Sequence, residues 1–203
     1  MSNSSKERTL VIAKHDAVAR GLIGEIVSRL ERVGLKLVGF EMIDPDRNVG
    51  QKHYPNSVVW KKKVGERTLQ EYEERGIDAK KVLGTNDPVE IGSLVKEWNV
   101  DYLTSGPVVA MVWEGPNSVK VVRKLIGDTV PSNALPGTIR GDYSWDSPEI
   151  ANQQKRPFYN LIHASGSKEE AEYEISLWFY ELEVFDYDIT ASGVMGLKGK
   201  IQR

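Results

Sequence analysis

Apolar and polar positions follow two different periods along this chain. Residues 10–13 (Leu-Val-Ile-Ala) are a short continuous apolar run ending at Lys14, which predicts a strand. After Arg20-Gly21 the repeat lengthens. Leu22, Ile23, Ile26, Val27, Leu30 and Val33 recur at helical spacing, with Glu25, Arg29, Glu31 and Arg32 between them. Gly34 is placed to close that helix. Leu35, Leu37, Gly39, Met42 and Ile43 then predict a second strand up to Pro45. The run PVVAMVW at 107–113 predicts a strand apolar on both faces, hence central in its sheet. The spacing predicts a helix over 118–126, closed by Gly127, and a fourth strand over 158–163. Ser167 and Glu170 form an S-x-x-E capping box, after which Ala171, Ile175, Trp178 and Phe179 make the apolar face of a last helix.

The intervening stretches are more polar. Residues 67–75 predict a short polar helix stopped by Gly76. Asp87 and Pro88 mark a helix start, with Val89, Ile91, Leu94, Val95 and Trp98 as its apolar face. Residues 128–141, rich in Pro and Gly, read as a long ordered loop, residues 142–157 as a second irregular stretch, and 189–203 show no usable pattern. The order β-α-β, helices, β-α, loop, β-α predicts an α+β fold: a ferredoxin-like α/β sandwich with a four-stranded antiparallel sheet. A flavodoxin-like parallel sheet is the alternative. With 203 residues and no evident linker, the expectation is a single domain over 1–203.

Composition narrows the function classes. A net charge of -2, from 27 Lys+Arg against 29 Asp+Glu, lacks the basic excess of a dedicated nucleic-acid binder. There are no cysteines, which removes thiolate nucleophiles, disulfides and Cys-ligated zinc. Residues 1–7 lack the apolar core of a signal peptide, and no apolar run is long enough to span a bilayer, so the expected location is cytoplasmic.

Phosphate chemistry would have to rest on side-chain cations, because neither G-x-x-x-x-G-K-[ST] nor a strand-borne G-x-G-x-x-G occurs. Lys14 at a strand end, Arg123 on the helix after the central strand, and Arg140 within Gly-Thr-Ile-Arg-Gly-Asp are candidates. Taken singly, each is more often a solvated surface charge. Three histidines are present: His15, His53 and His163. His163 follows an apolar strand and precedes the small residues Ala164-Ser165-Gly166. Glu174 lies seven residues beyond Ser167, on the same helix face two turns on. A hydroxyl and a carboxylate beside an imidazole would fix its tautomer; the bland alternative is a structural histidine at a strand end.

Four segments resemble one family in the right order. They are Glu7-Arg8-Thr9-Leu10 to Lys14 with Arg20-Gly21-Leu22-Ile23-Gly24-Glu25-Ile26; Ser105-Gly106-Pro107 to Gly115; Pro136-Gly137-Thr138-Ile139-Arg140-Gly141-Asp142; and Asn160-Leu161-Ile162-His163-Ala164-Ser165-Gly166-Ser167. The last resembles the N-x-x-H-G-S-D-S motif of nucleoside diphosphate kinases. That resemblance implies the ferredoxin-like fold and a ping-pong transfer of the γ-phosphate of a nucleoside triphosphate to a diphosphate through a phosphohistidine at His163. It implies that Lys14, Arg123, Thr129, Arg140 and Asn160 hold phosphates and sugar. Ser165 and Glu174 would position the imidazole, with Tyr54 nearby. It further implies Mg²⁺ carried on the nucleotide phosphates with no protein metal site, ATP and other nucleoside di- and triphosphates as partners, no membrane, and a homo-oligomer, hexamer or tetramer.

Departures from the family pattern are His15 in place of Pro, Ala164 in place of Gly, and Gly166 in place of Asp. Segments at about 55–102 and 142–157 are expanded, and the usual Pro-Phe-Phe stretch that brings a base-stacking aromatic is missing; Trp60 or Tyr72 could stand in for it. These departures motivate the alternative of a non-catalytic nucleotide-binding module on the same fold. A nucleic-acid-binding regulator is disfavoured, since no strand carries an RNA-binding signature. Bound phosphates and Glu174 would raise the pKa of His163, whereas Lys14, Arg123 and Arg140 would lower it.

Overall fold

A computed structural model describes residues 6–154, 156–180 and 184–189. Its elements are β1 (Arg8–Ala13), α1 (His15–Ala19), α2 (Ile23–Arg32), β2 (Lys36–Ile43), α3 (Arg47–His53), α4 (Val58–Glu74), α5 (Ala79–Leu83), α6 (Pro88–Leu103), β3 (Val108–Glu114), α7 (Ser118–Ile126), α8 (Ile139–Tyr143), α9 (Pro148–Gln153), β4 (Ile162–Ala164) and α10 (Lys168–Trp178). They fall into two compact units. One comprises residues 1–44, 107–145 and 160–203, the other 45–106 and 146–159.

The first unit carries the sheet, in the order β2-β3-β1-β4 with every neighbouring pair antiparallel. This is the strand order of the ferredoxin-like sandwich, and the antiparallel pairing excludes the flavodoxin-like alternative. β3 is central and fully buried because both of its faces are covered. On one face Val11, Ala13, Val109, Met111 and Trp113 pack with Ile26 and Leu30 of α2 and Val122 and Ile126 of α7. Each Val, Ile, Leu or Met side chain among them contributes about 1.5–3 kcal/mol when taken out of water. Leu10, Ile12, Ala110 and Val112 are equally buried on the other face. There Gly39 lets the Phe179 ring approach; a Cβ at that position would lie 2.9 Å from it. The β2–β3 register shifts between Leu37 and Gly39.

The second unit is helical. α4 and α6 pack so closely that a Cβ on Gly65 would overlap the Pro88 carbonyl, and one on Gly92 the Lys61 carbonyl. Asp87 caps α6, its carboxylate accepting from the N–H groups of Val89 and Glu90, with Pro88 in the first turn. Ser57 caps α4 and Asp78 caps α5.

Several expectations need correction. The polar helix over 67–75 is the C-terminal half of α4, which begins at Val58. α1 and α3 were not foreseen. The 128–141 loop contains a 3₁₀ turn at Pro131–Asn133 and leads into α8, and the 142–157 stretch contains α9. The fourth strand covers only Ile162–Ala164, not 158–163, because Leu161 has φ 65° and breaks the extended run. In the capping box Ser167 accepts from Glu170 N–H, but the Glu170 carboxylate accepts from Gly166 rather than Ser167. Beyond residue 189 the tail lies outside the described residues.

Candidate active site

The site in the first unit is assembled where β1 ends and β4 runs beside it. Ile12 pairs with His163, and the chain continues into Ser165, whose N–H donates to the Leu10 carbonyl. Ser165 is fully buried. Its hydroxyl accepts from Leu10 N–H (3.2 Å) and donates to Glu174 Oε2 (2.6 Å). The other oxygen of Glu174 lies 2.8 Å from His163 Nε2. Glu174, 1% exposed on α10, therefore spans hydroxyl and imidazole with one carboxylate oxygen each way. A neutral ring facing a carboxylate carries its proton on Nε2, which puts the nucleophilic lone pair on Nδ1. The His163 side chain is 18% exposed, enough to be reached from solvent.

Cations surround this group. Lys14, the residue between β1 and α1, is buried, and its ammonium donates to Asn160 Oδ1 at 2.9 Å. Burial, and then the Arg140 guanidinium, push the Lys14 pKa from 10.5 down to about 7, against an upward pull from the Asp16 carboxylate. For His163 burial is the largest influence and lowers the pKa below the ordinary 6.5. Lys14, Arg140 and Arg123 push the same way, and Glu170 opposes them. The sequence suggested opposing charges that cancel in part; burial, which a sequence does not display, tips the balance toward the neutral imidazole.

Arg140 sits differently from the expectation of a plain phosphate ligand. It is 4% exposed. Its Nε donates to the Asn160 carbonyl (3.1 Å), Nη1 to those of Gly127 (3.1 Å) and Asp128 (3.0 Å), and Nη2 to that of Ile162 (2.6 Å). One guanidinium thus ties the loop after α7 to the segment entering β4. Asn160 Nδ2 donates to the Thr129 carbonyl, so Thr129 meets the cluster through its backbone. Arg123 is exposed and donates to the Ala164 carbonyl at 3.4 Å. The structure therefore brings together His163, Ser165, Glu174, Lys14, Asn160, Arg140, Thr129 and Arg123.

Tyr54 belongs to the second unit, where it follows α3 with its ring edge-on to His53. Trp60 and Tyr72 are also there, both on α4. Tyr72, 2% exposed, is closed off and has no face to offer a base. Asp16 was missed by sequence reasoning. Its Oδ2 accepts from Leu161 N–H at 3.2 Å, and its place two residues after a strand-end lysine was the one available signal.

The family model described as Nucleoside diphosphate kinase matches residues 7–69 and 96–184. Residues 70–95, outside the match, run from the end of α4 into α6. The Nucleoside diphosphate kinase of Pyrobaculum aerophilum is 51% identical over 180 residues, covering 89% of this chain and 98% of that protein. That of Pyrococcus furiosus is 45% identical over 181 residues, covering 89% and 88%. Among solved structures, an NDP kinase from Pyrobaculum aerophilum superposes with a TM-score of 0.87 at 49% identity, over 89% of this chain and all of that one. A transition state mimic of nucleoside-diphosphate kinase from Borrelia burgdorferi, with bound vanadate and ADP, gives a TM-score of 0.71 at 36% identity, over 91% and 94%. The match spans most of the chain and both units, and the chain belongs to the nucleoside diphosphate kinase family.

Proposed function

We propose that this enzyme moves the γ-phosphoryl group of a nucleoside triphosphate to a nucleoside diphosphate by way of His163. The observation that carries this reading is the Glu174 carboxylate bridging His163 Nε2 and the Ser165 hydroxyl. In the first half-reaction the Nδ1 lone pair attacks the γ-phosphorus. The bond from that phosphorus to the β-phosphate oxygen breaks, and the diphosphate leaves with its electron pair. In the second, a β-phosphate oxygen of another diphosphate attacks the phosphohistidine and the imidazole is returned. Positive charge develops on the ring as the N–P bond forms, and Glu174 is placed to stabilise it. Lys14 and Arg123 would bind phosphate oxygens, with Asn160, Thr129 and Arg140 shaping the same pocket.

Mg²⁺ is read as carried by the nucleotide rather than by the protein. Bound there, it would supply charge neutralisation. The catalytic reading is favoured over the non-catalytic module because the carboxylate, hydroxyl and cations all surround the histidine. The proposal also includes a homo-oligomer, hexamer or tetramer, supported by β2. That strand lies at the sheet edge with Phe40 45% and Met42 62% exposed. Among the described residues no helix is long and apolar enough to cross a membrane, and the proposed location is the cytoplasm. The segments at about 55–102 and 142–157 are read as expansions of one family domain.

Incubation with γ-labelled ATP tests the central claim. The expected product is an acid-labile, base-stable phosphoprotein that is absent in His163→Ala. A mutant that still exchanges phosphate at the wild-type rate would overturn it.

A further inference from the structure

Asp16 lies in the first turn of α1, two residues beyond Lys14. Its Oδ2 accepts from the N–H of Leu161. Leu161 is one of two non-glycine residues with positive φ among those described. Ile162 N–H donates to the Asn160 carbonyl at 2.7 Å, closing a three-residue turn around Leu161. Such a turn is strained and persists only when its surroundings fix it. Three groups do so here: Asp16 on the Leu161 N–H, the Lys14 N–H on the Leu161 carbonyl (2.8 Å), and Arg140 on the flanking carbonyls of Asn160 and Ile162.

The turn joins Asn160, which accepts from the Lys14 ammonium, to His163. The other oxygen of Asp16, Oδ1, is buried with no hydrogen-bond partner in the structure. One of the two oxygens that share the carboxylate charge thus has no donor, and Lys14 feels that charge. Within the first unit, among the described residues, the other charged groups acting on Lys14 and His163 are Arg140 from α8, Arg123 from α7, and Glu170 and Glu174 from α10. Of the groups acting on Lys14, Arg140 opposes its positive charge and Asp16 supports it.

We propose that Asp16 is a positioning residue for phosphoryl transfer: it fixes the Leu161 turn between Asn160 and His163, and it keeps the Lys14 ammonium charged for the phosphates. This rests on the roles of Lys14 and His163 given above. A purely structural aspartate would alter rate or stability; one that also sustains the charge on Lys14 alters the pH at which that charge is lost.

The test is the pH profile of kcat/KM for ATP with a diphosphate acceptor, from about pH 6 to 9.5, on the full chain. Wild type should lose kcat/KM at high pH as Lys14 is deprotonated, and Lys14→Arg should abolish this basic limb. Asp16→Asn should move the limb about half a unit or more toward lower pH, and Asp16→Glu should restore it. In Lys14→Arg combined with Asp16→Asn, the limb should stay absent while the rate loss from the loosened turn persists. Asp16→Ser, whose hydroxyl can still accept the Leu161 N–H without the charge, gives the same reading if Asp16→Asn does not fold. A limb that stays put in a folded Asp16→Asn or Asp16→Ser overturns the proposal, as does failure of both variants to fold. A basic limb that survives Lys14→Arg instead overturns the assignment of Lys14, and the proposal with it.

Discussion

The two units differ in what dominates their construction. In the first, buried polar groups are answered atom by atom: one guanidinium serves four carbonyls, one carboxylate serves a hydroxyl and an imidazole, and an aspartate holds a strained turn. In the second, α4 and α6 meet backbone to backbone at Gly65 and Gly92, and the ion pairs on its helices lie at the surface, Arg47 with Glu97 and Asp101 and Arg67 with Glu71, although the Arg156–Asp146 pair is largely buried. Buried polar networks fix geometry at a cost in desolvation. Close helix packing fixes only a distance and an angle. Chemistry that needs reacting atoms held to a fraction of an ångström calls for the first kind of construction.

The largest effect that would separate the two is chemical. His163→Ala should lower phosphotransfer by a factor on the order of 10⁴ or more while the protein stays folded, as read by single-turnover labelling and circular dichroism. The next is structural. Gly92→Val must displace the Lys61 backbone and should cost about 3 kcal/mol or more in a denaturant melt. If the units are as distinct as their construction suggests, the fraction still folded should phosphorylate His163 near the wild-type rate. A loss of phosphorylation in proportion to nothing but the glycine change would break the comparison. Ser165→Ala and Glu174→Gln should each cost about 10- to 100-fold in the rate of phosphohistidine formation, since they orient the ring without attacking.

The pH dependence sharpens the comparison further. With the His163 pKa lowered in the folded state, its ring is already neutral through the ordinary histidine range. Single-turnover phosphorylation should therefore not fall between about pH 7 and 6, as it would for an unperturbed histidine. In stability the sign is fixed too. Below about pH 6.5 the unfolded chain takes up a proton that the folded chain refuses, so this contribution is lost as pH falls. His163→Gln should show a smaller drop in Tm between about pH 6.5 and 4.5 than wild type. At the small end, Arg67→Ala removes an i,i+4 pair whose arginine is 63% exposed and should shift stability by no more than about 0.5 kcal/mol.

How far the sequence foretold this molecule varied with what each element buries. β3, α2 and α7 were legible because their buried faces are made of Val, Ile, Leu and Met, which the hydrophobic period displays. α4 was half hidden because part of its buried face is Gly65, and a helix that buries a glycine looks polar all round. α1 has five residues, too few to show a period. Residues 158–163 read as one strand, but Arg140 takes the carbonyls of Asn160 and Ile162 and Leu161 turns the backbone aside. In the site, Ser165 and Glu174 were legible from motif and helical spacing. The hold of Arg140 and Asp16 on backbone groups was not, because a carbonyl or an N–H has no signature in the sequence.

The pairing of Ile43 with Val108 has a consequence for how such a chain can change. β2 ends and β3 begins side by side, so everything from residue 45 to 106 departs and returns at one place on the sheet rim. Seen from the strands, that whole stretch is a hairpin loop. The entropy of closing a loop grows only with the logarithm of its length, about 0.6 kcal/mol for each doubling. Segments such as residues 70–95 can therefore be lengthened, shortened or exchanged while β2 and β3 keep their register.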